Sequence, residues 1–447
     1  MEGKMMSKKT KRSSNGVESG DSKAVMDEEN VVNNIVSRLP LKSLMRFKCV
    51  AKRWCNLFQD PYFIDLHLNH RLKPPLRLSL FVVLPRRRCN RKGGNLSMDI
   101  EFKGRRVVFL IADVFFDERG WNGKGNVAST ITHIYNTTPF SYTQMLGGVN
   151  GVVCFVDGSM NAACLFNIGT REVTPWIKST LLMEETQNCK NSVSYTCLYS
   201  FGYDPIGKEH KVICRWAINK DNGLTYQIWE ILTVVRHNNA WRRIDQVPIC
   251  KFSPDSPSVY VNGSIYWYPL NLLRRDSNVG ILLAFDVGSE KFRTIKIPDF
   301  IELEDGLLFS IKDVFLLNLQ NHVSVLRRSG CYTARLWIYK EDDRGMGKVT
   351  DSDIGGKNRT QMTIVLPVSW GTWDASRNLL FHSAAGTHQI LLEIHQKNAA
   401  GTKVTISLYS CCIKDTRLEQ IELKELDSVH GWRGTRLCTS FNESLIL

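Results

Sequence analysis

Near residue 75 the spacing of hydrophobic positions changes from a period of three to four to a period of two, and each period predicts a different kind of structure. Before that point stands "VVNNIVSRLPLKSLMRFKCVAKRWCNLFQDPYF", residues 31–63. Asp27 can cap a first helical turn there, and Glu28 and Glu29 suit the positive end of the helix dipole. Val31, Val32, Ile35 and Val36 share one face. Pro40 interrupts this helix and can begin the next, because a proline in the first turn has no needed N–H to lose. Leu41, Leu44, Phe47, Val50, Trp54 and Leu57 follow at helical spacing, with Lys42, Arg46, Lys48, Lys52 and Arg53 on the other faces and Asp60-Pro61 ending the run. A segment of about 40 residues buries too little apolar surface to stand alone, so it docks on the rest of the chain or on another protein.

Past residue 75 the apolar runs are short and strand-like: "LSLFVVL", "RRVVFLI", "GVVCFV", "HKVICRW", "TYQIWEI", "SVYVNGSIYWY", "ILLAFDV", "HVSVLR", "ARLWIYK", "RNLLFHS" and "VTISLYS". Asn150-Gly151, Asp157-Gly158, Asp204-Pro205, Asn262-Gly263 and Gly288 supply turns, which predicts antiparallel hairpins. An apolar-aromatic strand followed by a charged turn recurs, as in "CLFNIGTREVTPW" and "LLAFDVGSEKFRTI". Its aromatics, Phe166, Trp229, Phe285, Trp337 and Tyr409, are spaced like one four-stranded sheet plus loops, repeated. Repeated small sheets set radially make a β-propeller and hide most strand edges; a two-sheet sandwich would be unusually large at this length. The expected fold is therefore a small helical module followed by a large antiparallel β domain of propeller type.

Composition narrows the class. Hydrophobic residues make up 43% of 447 and charged residues 23%, as in an ordinary globular protein. Residues 1–24 are rich in Ser, Lys and Gly and read as a disordered tail, with Lys8, Lys9, Lys11 and Arg12 a weak nuclear-import signal. No apolar run is long enough for a membrane helix and the N-terminus lacks a secretory core, which predicts an intracellular protein of the nucleus, the cytoplasm or both. The 13 cysteines show no framework and no C-x-x-C pair, and Cys411-Cys412 would point to opposite strand faces, so small buried thiols are expected and no structural zinc. Residues 71–108 carry eleven basic side chains against Asp99 and Glu101. No aromatic platform interleaves them, so a solvated loop is expected and nucleic acid is not a favoured partner. No metalloprotease, phosphate-loop or nucleophile-elbow motif occurs, and His67 and His70, three apart, read as structural. No catalytic residue and no cofactor is expected.

Segment 29–68 resembles a plant-type F-box through Ser37-Arg38-Leu39-Pro40, Lys42-Ser43-Leu44, Arg46-Phe47, Cys49-Val50, Lys52, Trp54, Asp60-Pro61, Phe63 and His67-Leu68. One departure stands out: the opening Leu-Pro of that pattern falls at Asp27-Glu28. Further along, "GGVNGVVCFVDG", "LFNIGTREVTPW", "FGYDPIGKEHKVICRW" and "VYVNGSIYWY … ILLAFDVGSEKF" are similar to stretches of F-box-associated, kelch- or propeller-like domains. The resemblance implies a tail (1–24), a three-helix F-box (25–70) and a target-binding β domain (71–447). It also implies a role: the substrate-recognition subunit of a Skp–cullin–F-box ubiquitin ligase, non-catalytic itself. Val32, Ile35, Leu39, Pro40, Leu41 and Leu44 would meet a Skp-type adaptor and, through it, cullin; Phe47, Val50 and Trp54 would pack the module. On this reading Leu44→Asp weakens adaptor binding while the β domain stays folded. The target protein is not identified, though loops 117–130, 270–279 and 341–360, with Trp121 and Trp216, are candidates for holding it. The alternative is a ligase-independent propeller scaffold that binds protein or nucleic acid, with a degenerate F-box.

Overall fold

The chain divides between Arg71 and Leu72 into two units, Met1–Arg71 and Leu72–Leu447. The computed structural model describes residues 30–71, 77–85, 107–115, 129–136, 142–179, 194–219, 225–234, 239–245, 256–269, 280–298, 313–340, 361–366, 377–383, 388–397, 404–413, 418–421 and 436–439, with single positions at 248, 250, 252 and 301.

Four helices make up the described part of the first unit: α1 (30–36), α2 (Leu41–Lys48), α3 (Lys52–Leu57) and α4 (Pro61–Arg71). The expectation was three, with Asp60-Pro61 as a terminator. Instead Asp60 caps α4, its Oδ1 accepting the N–H groups of Tyr62 at 2.8 Å and Phe63 at 3.1 Å, and Pro61 takes the first helical position. A proline there loses nothing, which is the same physics that lets Pro40 precede α2. Arg46 and Lys48 occupy the last turn of α2, where the dipole favours cations.

Among the described residues the second unit is built of six antiparallel four-stranded sheets. The first takes β1 (Arg77–Pro85), β2 (Val107–Phe115) and β3 (Ser129–Asn136). The second has β4 (Gln144–Val149), β5 (Val152–Asp157), β6 (Ala162–Asn167) and β7 (Ile177–Lys178). The third has β8 (Ser194–Asp204), β9 (Glu209–Asn219), β10 (Thr225–Val234) and β11 (Ala240–Arg243). The fourth has β12 (Ser258–Val261), β13 (Ser264–Trp267), β14 (Ile281–Asp286) and β15 (Lys291–Lys296). The fifth has β16 (Val314–Leu319), β17 (His322–Arg328), β18 (Thr333–Ile338) and β19 (Gln361–Val365). The sixth has β20 (Arg377–Ser383), β21 (Gln389–Lys397), β22 (Val404–Cys412) and β23 (Leu418–Ile421). The last strand, β24 (Arg436–Thr439), returns to pair with β1 and completes the first sheet.

The leading strands close a ring: β4 lies against β8, β8 against β12, β12 against β16, β16 against β20, β20 against β24, and β24 against β4. This is a six-bladed propeller, closed by a strand from the far end of the chain, so no sheet face at the seam is left uncovered. The five recurring aromatics fall on the third strand of five successive sheets: Phe166 on β6, Trp229 on β10, Phe285 on β14, Trp337 on β18 and Tyr409 on β22.

Apolar cores lie between successive sheets. Val152, Cys154, Tyr199, Val212, Cys214 and Trp216 fill the space between the second and third, and Ile213, Trp229, Ile265, Trp267 and Phe285 that between the third and fourth. Both faces of an inner strand are therefore buried, which is why β5 and β6 read as unbroken apolar runs rather than alternating ones. Asn150-Gly151 and Asn262-Gly263 both take positive φ at both residues, the turn whose twist matches the paired strands. Gln320-Asn321 does the same without glycine, a hairpin that composition alone did not mark.

Candidate functional site

In the helical unit the apolar stripe divides. Val36, Leu41, Leu44, Phe58, Phe63 and His67 are buried, whereas Val31, Ile35, Val50 and Tyr62 are exposed. Of the residues expected to meet an adaptor, Ile35 is 59% exposed and Pro40 exposed, Val32 and Leu39 are half-buried, and Leu41 and Leu44 lie at 1% and 0%. A side chain at 0% exposure is not free to touch a second protein, so Leu41 and Leu44 belong to the interior, and Leu44→Asp tests folding rather than docking. Spacing could not separate the two classes, because it places residues on a face without saying what covers that face.

Phe47, Trp54, Phe58 and Phe63 form a run of ring contacts with centroids 5.7, 6.0 and 5.2 Å apart. Val50, expected to pack with them, is 75% exposed. It stands beyond the C-cap Cys49, in the bend before α3, where its N–H bonds Phe47 O at 2.9 Å, and so it leaves the helical stripe. His67 is buried with Nε2 3.4 Å from Leu39 O, tying α4 to the bend before α2; this is a structural role. The exposed apolar set is thus Val31 and Ile35 on α1 and Val50 after α2, with exposed Pro40 between them.

In the propeller, one face is stitched from sheet to sheet. His210 reaches Val149 O at 3.2 Å, and burial holds its pKa down at about 4, so it is a neutral bridge. Tyr260 donates its hydroxyl to Tyr203 O at 2.9 Å, Asn262 donates to Asn321 O at 2.8 Å, and the Asn318 N–H donates to Ser383 Oγ at 3.0 Å. Between the third and fourth sheets Lys211 Nζ donates to Val287 O at 2.9 Å and to Glu290 Oε1 at 3.0 Å, and lies 3.7 Å from Asp204 Oδ2. Asp204 also accepts the N–H groups of Ile206 and Gly207, and a Cβ on Gly202 would come within 2.9 Å of Ile265. The "FGYDPIGKEHK" motif is thus a sheet-to-sheet joint: Gly202 permits the approach, Asp204 shapes the hairpin, Lys211 crosses to the next sheet.

The strand order also sorts the three loops expected to hold a target. Segments 117–128 and 341–360 link the third strand of a sheet to its fourth, on the face of the tight hairpins. Segment 270–279 links a second strand to a third and so leaves from the opposite face. The strand ends that flank the three segments are therefore not all on one face, because successive antiparallel turns alternate between the two faces. The loops themselves lie outside the described residues, apart from 129–130 in β3, as do Trp121, the tail and most of the basic stretch, 86–106. Trp216 is fully buried, its Nε1 donating to Glu230 Oε1 at 2.5 Å, and is core rather than an anchor for a partner.

Sequence reasoning missed two buried carboxylates. Glu230 accepts from Trp216 and from Ser179 Oγ at 2.9 Å, joining the second sheet to the third; burial pushes its carboxyl up, against the lowering effect of those bonds. An acid in the middle of "YQIWEIL" was the available signal. Glu393 is 1% exposed and lies between His382, 2.7 Å away, and His395. Burial pushes its carboxyl up, but hydrogen bonds from both imidazoles outweigh that and hold it at about 2. Its folded pKa is thus below the ordinary 4.5, so its contribution is complete above that value and lost as pH falls towards 2. Glu393→Gln should cost on the order of 3 kcal/mol at pH 6, the deficit shrinking between about pH 4.5 and pH 2. Denaturant titrations of both proteins across that range check this; a deficit independent of pH would count against it. Among the described residues no group of three or more His, Cys, Asp or Glu could hold a metal ion, and no helix is long and apolar enough to cross a membrane.

A helical unit presenting exposed apolar residues, followed by a closed propeller, defines a class of two-part interaction proteins. The F-box domain family matches residues 29–66, and the family described as F-box associated beta propeller domain matches residues 114–350, more than half of the chain. The chain belongs to the F-box proteins with an F-box-associated propeller. It is similar to F-box proteins of Arabidopsis thaliana: one is 27% identical over 275 residues, covering 60% of this chain and 56% of the relative. Another is 30% identical over 273 residues (59% and 62%), and a third 25% identical over 347 residues (77% and 75%). The chain spans about three fifths of the length of the first relatives it matches.

Proposed function

We propose that this chain is the substrate-recognition subunit of a Skp–cullin–F-box ubiquitin ligase. The observation that supports it most is the split of the helical stripe: Leu41 and Leu44 hold the unit together, while Val31, Ile35 and Val50 remain exposed in a segment that matches the F-box family. Exposed apolar side chains on so small a unit suit a permanent partner. The chain carries out no bond chemistry; it raises the concentration of a bound protein near a catalytic subunit held elsewhere in the complex. The propeller supplies a rigid frame, since its sheets are joined by buried bonds such as those of Lys211 and His210.

Full-length protein mixed with a Skp-type adaptor and cullin should elute from size exclusion as a ternary complex. Folded protein that leaves the adaptor unbound would instead favour the scaffold reading, with Asp27-Glu28 in place of the opening Leu-Pro as the cause.

A further inference from the structure

Arg215 stands in the middle of β9 at 2% exposure, between Leu198 and Trp229 on the neighbouring strands. A buried guanidinium needs an anion or several acceptors, because leaving it unpaired costs several kcal/mol. Its Nη2 makes one long bond, 3.5 Å to Phe252 O, and the group lies 4.9 Å from the Phe252 ring centre. Its buried Nε has no acceptor, and among the described residues no carboxylate pairs with it. Burial lowers its pKa, an effect opposed only by the thiols of Cys214 and Cys197. Two positions from Trp229 on the same face of β10, Gln227 donates Nε2 to Cys250 O at 3.0 Å, while its own buried Oε1 accepts nothing. A cation short of an anion and an amide oxygen short of a donor thus converge on the carbonyls of Cys250 and Phe252, at the junction of the third and fourth sheets.

We propose that this junction binds a small carboxylate that carries a hydrogen-bond donor on the adjacent carbon. The carboxylate pairs with the Arg215 fork, whose planar geometry matches two oxygens, and the neighbouring hydroxyl or N–H fills Gln227 Oε1. The Phe252 ring walls one face of the guanidinium. Phosphate fits less well, since its further charged oxygens would face the Gln227 carbonyl. The same chemistry comes from a free hydroxy acid or from a peptide C-terminus with its last amide N–H. The site is independent of adaptor binding.

The test is thermal melting and calorimetry of the full chain with lactate, acetate, N-acetylalanine and inorganic phosphate at about 10 mM. Lactate or N-acetylalanine should raise the melting temperature more than acetate, with phosphate inactive. A larger response to N-acetylalanine identifies a peptide end, and one to lactate a free acid. Arg215→Gln should lose at least tenfold in affinity and, without ligand, melt no lower than the wild type, because a neutral amide replaces an unpaired charge. Gln227→Leu should keep acetate binding and lose the preference for lactate, which reads the site even if Arg215→Gln does not fold. No shift with any carboxylate, an undiminished shift in Arg215→Gln, or a preference for lactate over acetate that survives in Gln227→Leu would overturn the proposal.

Discussion

Ile35→Asp should leave the chain folded and weaken its capture by a Skp-type adaptor at least tenfold, while Leu44→Asp should lose both. The two positions are nine residues apart in one sequence stripe, yet Ile35 is 59% exposed and Leu44 0%. A charge on an exposed helical face shifts stability by roughly half a kcal/mol, whereas a residue at the centre of an apolar interface commonly carries about 2 kcal/mol of binding. An aspartate at Leu44 must be desolvated without a partner, a cost of several kcal/mol, comparable with the whole stability of a small unit. Circular dichroism at 222 nm with an adaptor-binding titration separates the outcomes. Unchanged adaptor affinity in a folded Ile35→Asp protein would remove this face from the docking surface.

Lys211→Met should destabilise the propeller by about 3 kcal/mol, the usual cost of taking one member from a buried charged cluster. The substitution keeps the aliphatic stem but leaves Val287 O without its donor and Asp204 and Glu290 without their shared cation. Burial raises the Glu290 carboxyl, but bonds from Arg242 and Lys211 prevail and set it below its ordinary 4.5. A depressed carboxylate stabilises above its unfolded pKa and ceases to do so as pH falls through its folded one, so the Lys211→Met deficit should narrow below about pH 4.5. Arg242 reaches the same glutamate from a side chain 53% exposed, and Arg242→Met should cost under about 1 kcal/mol. Urea denaturation of the two variants at pH 7 and pH 4 distinguishes a sheet-to-sheet joint from a surface ion pair; equal costs would reject it.

Much of this architecture was legible in the residues. The switch of hydrophobic period separated helices from strands, since 3.6 and 2 are local properties of the backbone. The recurring aromatics marked third strands, because each sheet meets the same packing problem at the same position. Asn150-Gly151 and Asn262-Gly263 announced their hairpins through the positive φ that glycine tolerates. The weak points were polar or short strands, such as β7, β11 and β24, whose pairing comes from neighbours rather than from their own pattern.

What tertiary structure alone decided is everything that depends on residues far apart in sequence. The pairing of β24 with β1, across more than 340 residues, completes the first sheet and has no local signature. The division of the F-box stripe into Leu41 and Leu44 inside and Ile35 outside is likewise a matter of what each helix covers, which spacing cannot report. The same holds for Lys211 and Glu230, ionisable residues within strands that each bond a residue of a neighbouring sheet, and for Arg215, whose want of a partner became visible only when the sheets closed around it. Local chemistry chose the elements; burial, which only the assembled ring creates, chose their roles.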